Sequence, residues 1–236
     1  MQSATPYRIR EQQVWLSAER LIFWEEEKAL IISDLHFGKT GHFRKSGIAV
    51  PANIYKEDLQ RLVSQIQYFQ PKQLIIVGDF FHSQLNKELD LFKKWREDFP
   101  NLSISLIKGN HDILHDDWYA DSNIKVIEQE MSLTHFSFIH DISAISHRPS
   151  GNKEHASSAP NQSTNQPLNY YFSGHIHPGI RMSGNGKQSL CFPCFYFGKE
   201  YAVLPAFSRF TGLAIIHPEK DETVFGIVNK KIIQLQ

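Results

Sequence analysis

Cysteine is nearly absent: Cys191 and Cys194 are the only two in 236 residues. That argues against a disulfide scaffold and for a reducing compartment, so a cytoplasmic location is expected. The pair forms a C-x-x-C with no second pair beside it, which favours two small strand residues over a zinc knuckle. Charge of either sign is not in excess. Lys and Arg total 25, Asp and Glu total 25, and the pI is near 7.2. No global field therefore draws the chain onto nucleic acid or an anionic membrane, and a nucleic-acid footprint would have to be a local patch. No run approaches the roughly 20 apolar residues of a membrane span. Residues 1–10 carry no apolar stretch of the secretory-signal kind, and there is no internal repeat. What remains is a chain whose 41% hydrophobic content can fill a sizeable core. We expect one domain over residues 1–236.

Short apolar runs that stop at polar side chains organise the sequence. Residues 12–24 read as a hairpin around Ser17-Ala18-Glu19. Residues 29–33 form a buried strand that delivers Asp34 and His36. Residues 51–69 read as a helix, with Ile54, Leu59, Leu62, Val63 and Ile66 as its apolar stripe and Pro51 in its first turn. A strand over 73–77 ends at Gly78-Asp79, a helix follows over 86–99, and a strand over 102–107 ends at Gly109-Asn110-His111-Asp112. This alternation predicts a parallel sheet. The second half is strand-rich, with runs at 124–127, 132–139, 170–172, 189–197, 202–204, 213–216, 224–228 and 231–235. It predicts a second, mostly antiparallel sheet. Residues 147–169 are polar and rich in Ser, Asn, Gln and Pro, and read as a flexible insertion.

Five strand-like runs end at Asp34 and His36, Asp79, Asn110, His140, and His175 with His177. Ligand sites of open α/β sheets lie beyond the carboxyl ends of strands, so these ends can meet in one cleft. The seven side chains offer carboxylate, imidazole and amide oxygen donors without thiolate, a set suited to Mn, Fe or Zn. Seven donors exceed one tetrahedral ion and fit two ions that share a bridging carboxylate. Such a pair suits phosphoester hydrolysis, with a bridging hydroxide attacking phosphorus in line. The leaving alkoxide needs a proton. His111, beside Asn110, is the candidate acid, with Asp112 to hold its orientation. His82, three residues after Asp79, reads either as a group that orients a ligand from behind or as plain packing. Lys39, His42, Arg44 and Lys45 lie in a glycine-bounded basic loop over 38–47. They read either as a solvated surface or as phosphate contacts, and Arg181 is a further candidate for substrate. The Gly38-Lys39-Thr40 triplet lacks the earlier glycine of a phosphate-binding loop.

In this order, Asp34-Leu35-His36, Gly78-Asp79, Gly109-Asn110-His111-Asp112, His140 and Gly174-His175-Ile176-His177 resemble the calcineurin-like metallophosphoesterases. The resemblance implies a four-layer αββα sandwich of two mixed sheets. It puts one ion on Asp34, His36, Asp79 and His177 and the other on Asp79, Asn110, His140 and His175, with Asp79 bridging and His111 catalytic. His140 is preferred to His135 because it ends the apolar run. A closer resemblance rests on residues 34–51, 174–181, Pro193-Cys194-Phe195, Leu204-Pro205-Ala206-Phe207 and Phe210-Thr211-Gly212. These are similar to the bacterial ligase-associated DNA-damage-response endonucleases. That family implies a manganese-using phosphodiesterase acting on DNA in repair, in functional association with an ATP-dependent DNA ligase, a helicase and an exonuclease. A phosphodiesterase for nucleotides or other small phosphodiesters stays open beside it. The stretch 147–169 is longer than that family's usual connection.

Overall fold

The computed structural model describes residues 4–39, 54–81, 87–146, 169–184 and 188–236. Two mixed sheets face each other. The first has seven strands in chain order: β1 (Ala4–Ile9), β2 (Gln12–Ser17), β3 (Leu21–Trp24), β4 (Ala29–Ser33), β5 (Gln73–Val77), β6 (Ser103–Ile107) and β7 (Ile124–Ile127). Strands β1 to β4 pair antiparallel, whereas β4 to β7 run parallel through crossovers. Helices α1 (Ile54–Phe69) and α2 (Lys87–Glu97) occupy the first two crossovers and the short α3 (Asp116–Asp121) the third.

Alternation along the parallel strands decides which residues meet which layer. Leu30, Ile32, Leu74, Ile76, Ile104 and Leu106 point outward against Leu62, Ile66, Leu89, Phe92 and Trp95 of the helices. Ile31, Ile75, Val77 and Ile107 point inward against Phe136, Phe138, Phe172 and Phe195 of the second sheet. At its C-terminus α1 meets Gln70, whose φ of 49° leaves the helical region, and then Pro71, which cannot continue the ladder.

The second sheet contains β8 (Glu130–Leu133), β9 (Phe136–Ile139), β10 (Tyr170–Ser173), β11 (Pro178–Ser183), β12 (Ser189–Phe197), β13 (Tyr201–Val203) and β14 (Ala214–Ile215). Strands β15 (Thr223–Val228) and β16 (Lys231–Gln234) extend it from β12. Most of its pairs are antiparallel, as expected, but β9, β10 and β13 run parallel to one another. That gives β9 and β10 carboxyl ends that point the same way. Among the described residues, the one helix of this half is the single turn α4 (Ser143–Ser146).

Several elements besides α4 differ from the sequence reading. The run at 132–139 is not one strand: Thr134 takes a φ of 44° and the chain folds back as the β8–β9 hairpin. Neither Thr134 nor His135 is a residue type that signals such a turn. Strand β1 pairs with β2 as an edge, a position in which Pro6 is tolerated. Strand β11 follows His177 directly, and α3 follows His115, whose Nδ1 accepts the Asp117 N–H as an N-cap. Much of the 147–169 insertion, together with His42, Arg44, Lys45 and His82, lies outside the described residues.

Candidate metal centre

The carboxyl ends of β4, β5, β6, β9 and β10 converge. Two groups of donors stand there, Asp34 with His36 and His177, and Asp79 with His140 and His175. In the first, His36 Nε2 is 3.3 Å from His177 Nε2, and His177 Nε2 is 3.5 Å from Asp34 Oδ1. In the second, His140 Nε2 is 3.2 Å from His175 Nδ1 and 3.2 Å from Asn110 Oδ1. Asp79 lies between the groups. Its Oδ1 is 3.6 Å from His140 Nε2, and its Oδ2 is 4.0 Å from His36 Nε2. All seven sequence candidates therefore share one place. His135 instead sits in the hairpin turn at the far end of β9.

Asp34, His36, Asp79, His175 and His177 have φ between 46° and 67°. A side chain in this left-handed region carries a strain of order 1–3 kcal/mol and persists only where its surroundings hold it. Backbone bonds supply the restraint. Asp34 N–H donates to Gly78 O at 3.2 Å, His36 N–H to Asp79 O at 2.9 Å and Phe37 N–H to Phe80 O at 2.8 Å. The Asp34 carboxylate also accepts the His175 N–H, at 3.1 and 3.2 Å to its two oxygens, which ties one sheet to the other. His140 O accepts from Gly174 N–H and from the Ser173 hydroxyl. Beneath the site, Phe37, Phe80, Phe81 and Phe92 pack as a buried aromatic floor.

The glycines before three of the candidate ligands are the residues that reading the sequence for donors passes over. A Cβ on Gly78 would lie 1.8 Å from His140 Nδ1, one on Gly109 2.3 Å from Asp79 Oδ1, and one on Gly174 2.6 Å from Asp34 Oδ2. Each glycine leaves the volume that a donor from another strand occupies. Their sequence signal is position: Gly directly precedes Asp79, Asn110 and His175.

His111 stands over the first group, its ring centroid 5.6 Å from that of His36. The His111 backbone N–H donates to Asp79 Oδ1 at 2.9 Å. Asp112 is buried, and its carboxylate accepts from Phe80 N–H (2.8 Å), Phe81 N–H (3.0 Å) and Gly109 N–H (2.9 Å). These bonds make it a clamp on the turn after β5. Burial pushes the Asp112 carboxyl up to about 7. The neighbouring Asp79 charge adds to that rise, and the three N–H bonds oppose it. Lys39 is half-buried. Burial lowers its ammonium below the usual range, and the nearby charges of Asp79 and Asp34 partly oppose that shift. Arg181 is exposed on β11, four residues past His177 and roughly 13 Å further along the chain.

The donor chemistry fits a pair of divalent ions: close-set imidazole nitrogens and carboxylate oxygens, no thiolate, and one carboxylate facing both groups. This fold with this site is that of a metal-dependent phosphoesterase. The chain belongs to the calcineurin-like phosphoesterase family, whose signature it matches over residues 28–179. Among solved structures it is similar to the Pseudomonas putida nuclease MPE, at 28% identity and a TM-score of 0.77 over 99% of this chain and 100% of that one. A phosphoesterase from E. coli, Yfce, aligns at 16% identity and a TM-score of 0.42, over 88% of this chain and 97% of that one. No curated protein matches the chain. No helix among the described residues is long and apolar enough to cross a membrane.

Proposed function

We propose that the protein is a two-metal phosphodiesterase that cleaves DNA as an endonuclease in repair. The observation that carries this reading is Asp79, whose two oxygens face separate groups of donors. One ion would be held by Asp34, His36, Asp79 and His177, and the other by Asp79, Asn110, His140 and His175. Two ions there would supply an activated water and offset charge on the phosphate oxygens. Manganese is our first choice of metal, with iron or zinc as alternatives. His111 hands a proton to the departing oxygen, and Asp112 keeps the Asp79 turn in place through its three N–H bonds. Lys39 attracts the phosphate, and His42, Arg44, Lys45 and Arg181 extend the contact along the substrate backbone. His82 orients a ligand from behind.

Similarity along the full chain to a protein described as a nuclease supports DNA as substrate. We read residues 1–236 as one domain with an insertion over 147–169, working in the cytoplasm beside an ATP-dependent DNA ligase, a helicase and an exonuclease. A second reading, cleavage of nucleotides or other small phosphodiesters, is favoured by one observation: 25 basic residues balance 25 acidic ones, and DNA affinity leans on basic surface.

A substrate panel separates the two. With Mn added, the protein should cleave single- or double-stranded DNA as well as a simple aromatic phosphodiester. Turnover of small diesters with every DNA left intact would refute the nuclease assignment. His111→Ala should keep both metals and slow alkoxide-leaving substrates by about 100-fold or more, with a much smaller loss for nitrophenolate leaving groups. Leaving-group series measured on wild type and variant check this; the same loss across the series would exclude the proton-donor role.

A further inference from the structure

Leu204-Pro205-Ala206-Phe207 supplies no donor to the metal centre, yet its backbone touches the centre's first strand end. Phe207 N–H donates to Ser33 O at 2.8 Å, and Ser208 N–H donates to Asp34 O at 3.3 Å. The Ser33 hydroxyl donates to Pro205 O at 3.3 Å. On its other side the segment is held by two arginines. Arg20 Nη1 donates to Ala206 O (3.2 Å) and Ser208 O (2.7 Å). Arg61 Nη2 donates to Phe207 O (3.0 Å) and Glu19 O (2.9 Å), and its guanidinium lies 4.2 Å from the Phe207 ring centre.

Carboxylates hold Arg61 in turn. Glu19 Oε2 accepts from Arg61 Nε at 2.8 Å, and Asp58 Oδ1 from Arg61 Nη1 at 2.5 Å. Arg209 reaches the same Glu19 oxygen at 3.2 Å. Burial and the charges of Arg61 and Arg209 pull Arg20 down to about 10, which leaves it a cation at neutral pH. Arg61 is buried with all three guanidinium nitrogens bonded and Arg20 is partly buried with two carbonyls on Nη1, so both act as rigid brackets, because a planar guanidinium fixes several acceptors at once. Residues 19, 20, 58, 61 and 206–209 are far apart in sequence and meet only here.

We infer that Arg20 and Arg61 are positioning residues of the metal centre, which hold the 206–208 backbone so that its N–H groups fix Asp34 in its left-handed conformation toward one ion. The inference rests on the two-metal reading. It assigns the bracket to the Asp34, His36 and His177 group; the other group receives none of these bonds. Groups that orient a ligand from behind typically contribute about 10–100-fold to metal affinity.

The test is manganese titration of the full chain, with free Mn followed by electron paramagnetic resonance, on wild type, Arg20→Met and Arg61→Lys. Arg20→Met keeps the apolar stem and removes the fork; Arg61→Lys keeps the charge. Leu62→Ala, a cavity variant on the same helix but facing the outer core, controls for lost stability through the melting temperature of the metal-free protein. Wild type should bind two ions. Each arginine variant should weaken one of them about 10–100-fold and leave the other within twofold, with anomalous scattering placing the loss at the Asp34 group. Leu62→Ala should melt earlier and keep both affinities. Unchanged affinities in both arginine variants, equal weakening of the two ions, or the same selective loss in Leu62→Ala would overturn the inference. Wild type failing to take two ions would instead refute the metal reading on which it rests.

Discussion

Asp79→Asn should leave no more than about one thousandth of wild-type turnover and weaken both ions together. The substitution preserves shape and replaces one carboxylate oxygen with an NH2 group that cannot accept a metal. Whichever way the amide turns, one group loses its share: Oδ1 serves the side of His140, Oδ2 the side of His36. The bridging charge is lost for both ions. Several kcal/mol of stabilisation of the developing phosphoryl charge goes with it, and each 1.36 kcal/mol is tenfold in rate. The backbone need not move, because the main-chain bond from His36 N–H to Asp79 O survives. Metal content by elemental analysis and turnover of an aromatic phosphodiester check it. A variant that kept both ions and most of its rate would show that Asp79 does not bridge.

Gly78→Ala should be the most damaging change outside the donors themselves. Gly78 has a φ of 78°, and an added Cβ would lie within 2.7 Å of three atoms of the His140 ring. Two penalties combine: backbone strain in the left-handed region and overpacking against a ring whose Nδ1 contacts Val77 O at 3.4 Å. Together they come to roughly 2–5 kcal/mol of stability. If the protein still folds, the His140 ring must yield, and a displacement of about 1 Å at a reacting centre costs on the order of 100-fold in rate. Thermal unfolding of the metal-free protein and turnover of the folded fraction measure the two effects. A variant with unchanged melting temperature and full activity would refute the tight approach of His140 to residue 78.

How much of this was written legibly in the sequence follows from the range of each signal. The strand ends were readable because apolar runs of about five residues stopping at Asp34, Asp79, Asn110, His140 and His175 are local features. The two helices of the first half were readable because their apolar stripes repeat at helical spacing. The β8–β9 turn was not, since Thr134 adopts a positive φ without the Gly or Asn that announces one. The Asp112 clamp and the arginine bracket were hidden for another reason. Phe80 and Phe81 lie more than 30 residues from Asp112, and Phe207 lies 146 from Arg61. A buried Arg looks no different from an exposed one until the fold is closed. The glycine cradles fall between these cases: each is adjacent to a donor, but the donor it makes room for comes from another strand.

Anomalous diffraction from a crystal grown with manganese measures the central claim directly. Two peaks are expected at the carboxyl ends of β4, β5, β6, β9 and β10. One should be bounded by Asp34, His36 and His177, the other by Asn110, His140 and His175, and the Asp79 carboxylate should lie between them. A single peak, or two that leave Asp79 bound to one ion alone, would contradict it.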